Sequence, residues 1–386
     1  MFFHISKTHQ DNFPYNHKTE NFVVSLDEGW HHTQDSYNND IWYKGYLDAG
    51  LLENHVLEIS NEETPSYDGN FCVIKVFDQG AVVRSSRLRS FPIWHNPTIG
   101  LTNLQNIGEI FWADSVVMLD NNMSLLHNKF DPIGNIETGL LDIDSVTDQV
   151  DMLVDAKIKK FLSNQTTPIK IFLSGGIDSA FVFSYIQKHT DNYEIVAESH
   201  VEYDYFYLKN HGFLKQFWGY SQIHHWKQPS ILASGAPGDE FSCRNPITVD
   251  FLLRYHGTSF VETMEDPKFK GNSLNYDFFK KNYLEKLSNT TLYTKLDQAI
   301  FKGCDYNVND WQHWHLGNTI TYTPLRDIEM FKLYARLDAD SLKEQLMNSA
   351  VQVRLIGKNN PKLLDILSPS KNGMNYMQNL TNLLPC

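Results

Sequence analysis

Cysteine is scarce: four residues in a chain of 386, at Cys72, Cys243, Cys304 and Cys386, with no CxxC pair and no zinc-type spacing. That excludes a disulfide scaffold, and free thiols in a reducing cytoplasm are the expectation. There is no long Lys/Arg run either. With a formal net charge of -13 at pH 7, the chain offers no basic face for a phosphate backbone, so nucleic acid is not expected as a partner. No uncharged apolar run approaches the ~20 residues needed to cross a bilayer, and Met1-Phe2-Phe3-His4-Ile5-Ser6 lacks the basic stretch and apolar segment of an export signal. Neither membrane insertion nor secretion is expected. GxxxxGK[ST] is missing, which removes the Walker-type loop that serves γ-phosphate transfer. HExxH is missing too, and the pair His31-His32 has no spaced partners that would make it a metal site.

Apolar residues nevertheless make up 41% of the chain and aromatics 13%, enough to bury large cores and to exclude a disordered chain. The length favours two domains over one. Up to about residue 127 the pattern is short aromatic-rich strands between turns, such as Asp40-Ile41-Trp42-Tyr43-Lys44-Gly45-Tyr46 and Gly69-Asn70-Phe71-Cys72-Val73-Ile74-Lys75-Val76-Phe77. Arg84, Arg87 and Arg89 are expected on a solvated strand face. A Gly- and acid-containing connector follows, to about residue 145. The rhythm then becomes strand, loop, helix: Ile169-Lys170-Ile171-Phe172-Leu173, a helical spacing from Asp178 to His189, and further strands at Glu194-Ile195-Val196-Ala197 and Ile231-Leu232-Ala233. Such alternation predicts a parallel sheet with ligands at the carboxyl ends of its strands. Helices are expected over 327–337, 340–355 and 361–367, with Asp338 and Asn360 near their starts.

One string carries chemistry. In Leu173-Ser174-Gly175-Gly176-Ile177-Asp178-Ser179 an apolar strand ends in two glycines and opens a helix. Bare backbone N–H groups and the positive helix end therefore face outward together, a turn that holds pyrophosphate. Ser174 and Ser179 add hydroxyls. Asp178 is out of place beside an anion unless a divalent cation lies between them, so magnesium is implied.

The string resembles the SGGxDS signature of the asparagine synthetase family, whose synthetase domain has an adenine-nucleotide hydrolase-like sheet. A second string, Ser234-Gly235-Ala236-Pro237-Gly238-Asp239-Glu240, resembles the same family's SGxGxDE loop. The resemblance implies ATP cleaved between its α- and β-phosphates, an acyl-adenylate, and released pyrophosphate. Leu173, Ser174, Gly175, Gly176, Asp178, Ser179, Ser234, Gly235 and Gly238 would bind the nucleotide, Asp178 and Asp239 would share the magnesium, and Glu240 would order the site. Tyr322-Thr323-Pro324-Leu325-Arg326-Asp327 resembles the RxPFLD segment, and Ser368-Pro369-Ser370-Lys371-Asn372-Gly373 the late RxKxGF segment, in which Lys371 would stabilise charge during acyl transfer. Ile320 and Tyr322 stand where the family has glutamate and arginine, so aspartate need not be the substrate.

Glutamine-hydrolysing members begin with an amidase domain of N-terminal-nucleophile type that needs a cysteine at position 2. Here position 2 is Phe2. The resemblance thus implies an α/β protein with two parts. Residues 1–127 are an amidase-like β sandwich without its nucleophile, and residues 128–386 a parallel-sheet synthetase domain with a helical C-terminal part. The reaction is an ATP- and magnesium-dependent ligation of a small carboxylate to ammonia or a substrate amine, in a chain free to form a homodimer. Two alternatives stand beside it: a nucleobase- or tRNA-modifying enzyme with the same loop, for which Cys243 is the one nearby thiol, and a non-catalytic binding protein on a degenerate synthetase scaffold. Glutaminase activity is expected to be absent. Glutamate release from glutamine should match an uncatalysed control, and a rate above it overturns the reading of Phe2.

Overall fold

The computed structural model describes residues 2–48, 50–61, 67–86, 93–103, 109–111, 116–129, 136–137, 139–165, 169–173, 176–197, 230–235, 238–265 and 319–364. The front half is built on strands β1 (Phe3–Ser6), β2 (Tyr15–Lys18), β3 (Val23–Leu26), β4 (His31–Gln34), β5 (Asp40–Leu47), β6 (Gly69–Phe77), β7 (Gly80–Ser85), β8 (Ile93–Asn96), β9 (Gly100–Thr102), β10 (Glu109–Phe111), β11 (Val116–Asp120) and β12 (Leu125–Lys129). They form two six-stranded sheets, ordered β10-β8-β9-β1-β3-β2 and β12-β11-β7-β6-β5-β4, in which the paired strands run antiparallel.

Strand periodicity explains how the two sheets meet. Phe3, Ile5, Val24, Leu26 and Leu101 of the first sheet share one buried cluster with Trp42, Cys72, Ile74, Val83 and Val117 of the second. The alternate residues of β5 and β6, Ile41, Phe71 and Val73, point the other way and pack beneath the short helix α1 (Val56–Ile59). Both faces of β6 are therefore covered, which accounts for its apolar run Phe71-Cys72-Val73-Ile74. Arg84 corrects the expectation of a solvated arginine face. It pairs with Val73 on the side that α1 covers, is buried, and its Nη1 donates to the carbonyls of Ile59 at 3.2 Å and Asn61 at 3.0 Å, at the end of that helix. Arg87 and Arg89 lie outside the described residues.

The back half opens with a helix where the connector was expected to continue: α2 (Ile143–Ser163), capped by Asp142, whose Oδ1 accepts the Ser145 N–H at 2.7 Å. Its buried Ile143, Val146, Val150, Val154, Ile158 and Phe161 form a single stripe. There follow β13 (Ile169–Leu173), α3 (Ile177–His189), β14 (Tyr193–Ala197), β15 (Ser230–Ala233), α4 (Gly238–Phe241), α5 (Pro246–Tyr255), α6 (Phe260–Met264), β16 (Thr319–Tyr322), α7 (Ile328–Tyr334), α8 (Ala339–Asn348) and α9 (Ala350–Asn359). The four strands make a parallel sheet in the order β14-β13-β15-β16. The protein is thus mixed α/β, with antiparallel sheets first and a parallel sheet with helices after. Among the described residues no helix is long and apolar enough to cross a membrane.

The helix expected over 340–355 is two helices. Ser349 adopts the left-handed conformation (φ 52°) between them, and the Gln345 Oε1 accepts the Val351 N–H at 3.0 Å, giving α9 the cap that Ser349 does not supply. Asp338 caps α8 through the Ser341 N–H at 2.8 Å.

The halves meet at the end of β5. The Tyr46 hydroxyl accepts the Thr323 N–H at 3.0 Å, and its ring meets Phe161 and Tyr322 edge-on at centroid distances of 5.6 and 5.3 Å, while those two stack at 3.6 Å. Beside them Lys157 of α2 bridges Asp48 and Asp327, the cap of α7. Tyr46→Ala should therefore cost about 3–5 kcal/mol, as losing a buried aromatic does. Tyr46→Phe, which loses the bond from the Thr323 N–H and the longer one with the Thr323 hydroxyl at 3.4 Å, should cost about 1–2 kcal/mol. Urea midpoints measure both, and equal losses would show that the ring contributes little.

Candidate nucleotide site

The strand order places a topological switch between β13 and β15. The chain leaves β13 for β14 on one side, and β15 joins on the other, the position in open parallel sheets where ligands bind beyond the carboxyl ends of the strands. The two glycine loops leave these same strand ends. After β13, Gly176 caps α3 with extended backbone and is exposed, and Ile177 and Asp178 form the first turn. Like any helix N-terminus, that turn carries partial positive charge. After β15, the Ser234 N–H bonds the Tyr322 carbonyl at 2.9 Å, and Gly238 opens α4.

The loops touch. A Cβ on Gly235 would lie 2.3 Å from the Asp178 carbonyl carbon and 2.4 Å from the Ser179 nitrogen, and one on Gly238 would lie 2.3 Å from the Asp178 carboxyl carbon. Real side chains do not approach backbone so closely, so position 235 requires glycine, while a Cβ at Gly238 would displace the Asp178 carboxylate. The consequence is that Asp178 and Asp239 converge. Arg244 lies between them, its Nη1 2.5 Å from Asp178 Oδ1 and 2.9 Å from Asp239 Oδ1.

Arg244 was not singled out in the sequence. It is aimed by Cys243, a non-glycine residue in the left-handed region (φ 53°), which turns the chain back so that the Arg244 and Asn245 N–H groups both donate to the Asp239 carbonyl, at 2.9 and 3.0 Å. The loop is held from behind: the buried Gln345 donates its Nε2 to the Ser242 carbonyl at 2.8 Å. Burial pushes the Asp178 carboxyl up to about 7, with Arg244 opposing the rise and Asp239 adding to it. Arg244 loses hydration, but the two acids outweigh that and hold its pKa above the ordinary value. Burial likewise raises the thiol of Cys243, leaving it in an inert setting.

Of the other expected site residues, Leu173 is fully buried at the end of β13 and can offer only backbone. Ser179 is buried, and its hydroxyl donates to the Gly176 carbonyl at 2.8 Å. Ser234 and Gly235 are buried where the loops meet. Glu240 lies in α4. Its side chain, and the whole of Ser174, Gly175 and Lys371, lie outside the described residues. Among the described residues no cluster of three or more His, Cys, Asp or Glu is poised for a metal. Two carboxylate oxygens facing one guanidinium nitrogen do fit a magnesium ion, which takes one or two protein carboxylates and completes its shell with phosphate oxygens and water.

No protein-family model matches the chain, and no curated protein matches it significantly.

Gly235→Ala should push the two loops apart, with a loss of about 1–3 kcal/mol or more, as overpacking a tight contact brings. Gly139→Ala is the control, since its Cβ would meet only the Arg336 guanidinium, at 3.4 Å. Thermal melts decide, and equal behaviour of the two variants would mean that the loop contact is not tight.

Proposed function

We propose that this chain is a cytoplasmic ATP-dependent ligase of the asparagine synthetase type, forming an amide from a carboxylate and releasing AMP and pyrophosphate. The observation that carries the reading is the convergence of Asp178 and Asp239 from two glycine loops at the switch point of a parallel sheet. A Gly-Gly turn or an aspartate pair alone would have a packing explanation; both at this position match a nucleotide site with its magnesium.

In the proposed reaction a substrate carboxylate oxygen attacks the α-phosphorus of ATP, and the α–β anhydride bond breaks toward pyrophosphate. The turn opening α3 and the loop of Ser174 and Gly175 would hold that leaving group. Asp178 and Asp239 would hold magnesium, whose charge offsets that of the phosphate oxygens. The nitrogen of ammonia or an amine then attacks the acyl carbon and AMP departs, with Lys371 assigned to the charge on the acyl oxygen and Glu240 to ordering the site.

The front sandwich is read as an amidase-like domain without its catalysis. Phe2 is fully buried, and its N–H donates to the Asp27 carboxylate at 2.9 Å, so a phenyl ring fills the place where a nucleophile would stand. Free ammonia or a substrate amine is therefore the proposed nitrogen source. The buried Cys243 counts against sulfur transfer, which requires an accessible thiolate.

Asp178→Asn and Asp239→Asn should each lower magnesium-dependent turnover ~100-fold or more, the scale of losing a group that stabilises transition-state charge, with the far-ultraviolet circular dichroism unchanged. Chromatography of the unmutated protein's products should show AMP and pyrophosphate; ADP and phosphate would refute the adenylation chemistry.

A further inference from the structure

Arg244 is unexplained by the resemblance and by the proposed chemistry. A cation stands beside the N-terminus of α3, where the helix dipole disfavours positive charge. It is aimed there by a left-handed Cys243, a conformation that a non-glycine residue holds at a cost. One end of the guanidinium, Nη1, serves both acids. These are the two oxygens that a magnesium ion would take.

We propose, resting on the nucleotide-site reading above, that Arg244 is a positioning residue that neutralises Asp178 and Asp239 while the site is empty and is displaced when a divalent cation and nucleotide enter together. With both acids ionised, two carboxylates and one guanidinium carry one net negative charge, which repels a polyphosphate. A divalent cation reverses that sign, and the released guanidinium then adds to the attraction for phosphate, which its planar donors suit. A cation alone must compete with Arg244 for both oxygens, and a nucleotide alone meets a negative site. Each ligand therefore tightens the other, reciprocally. The design makes cation binding conditional on nucleotide.

Manganese binding to the full chain, followed by electron paramagnetic resonance, tests this without turnover. In the absence of nucleotide, Arg244→Gln should bind Mn²⁺ ~10-fold or more tightly than the unmutated protein, because a competing unit charge a few ångströms from the ion is gone. Arg244→Lys, which keeps the charge, should show a smaller gain. Arg244→Gln combined with Asp178→Asn should lose the gain. Equal Mn²⁺ affinity of Arg244→Gln and the unmutated protein, or a gain that survives loss of Asp178, overturns the proposal. A second measurement needs no variant: α,β-methylene-ATP should tighten Mn²⁺ binding to the unmutated protein ~10-fold or more, the coupling expected of linked sites. If the nucleotide binds without tightening Mn²⁺, the proposal falls while the nucleotide site stands. If the analogue does not bind at all, the nucleotide-site reading falls, and the Mn²⁺ comparison still decides what Arg244 does to the acids.

Discussion

Two backbone segments approach each other more closely at Gly235 than any side chain would allow, Gly238 lies against the Asp178 carboxylate, and the arrangement of the site depends on that contact. It presses the loop after β15 onto the first turn of α3 and so carries Asp239 toward Asp178. Two carboxylates brought together in a partly buried place repel each other by several kcal/mol, about 4 at an effective dielectric constant of ~20 and ~4 Å. Glycine removes the steric barrier to the approach and does nothing for the electrostatic one. That barrier needs a cation, which the chain supplies itself in Arg244.

The supports of the site lie far apart in sequence. Arg244 is aimed by the backbone of Cys243, and the carbonyl of Ser242 next to it is held by Gln345, which also caps α9 through Val351 and bonds Gln352 at 2.7 Å. The left-handed Ser349 is therefore more than a break between helices. It lets the end of α8 turn so that one amide side chain serves both α9 and the loop of Arg244.

What was legible in the sequence divides along the same line. The glycine loops and three of the four strands of the parallel sheet could be read because strand, turn and helix are local patterns, whereas β16 gave no strand signal of its own. Arg244 could not be read, since a single arginine acquires its role from a left-handed turn and from a loop 66 residues away. The solvated reading of Arg84 failed because alternation gives the face of a strand and is silent about what covers that face, here α1. The stripe of α2 from Ile143 to Phe161 has helical spacing, yet it is not among the helices expected from the sequence. The connector was drawn too long because the exposed Asp142, Asp144 and Asp148 at the helix start have a linker's composition.

The position of Tyr46 gives a physical reason for the front sandwich that requires no chemistry in it. Its ring, Phe161 and Tyr322 form one aromatic group shared by β5, α2 and β16, and its hydroxyl holds the backbone of Thr323 just past β16. Tyr322 in turn accepts the Ser234 N–H at the start of the second glycine loop. Without the sandwich, Phe161 and Tyr322 would lose a buried partner and Lys157 would lose Asp48, at the edge of the sheet that carries the site. Under the proposed reaction, the front half therefore acts on catalysis through position: it fixes β16, β16 fixes the loop of Gly235, and that loop fixes the two acids.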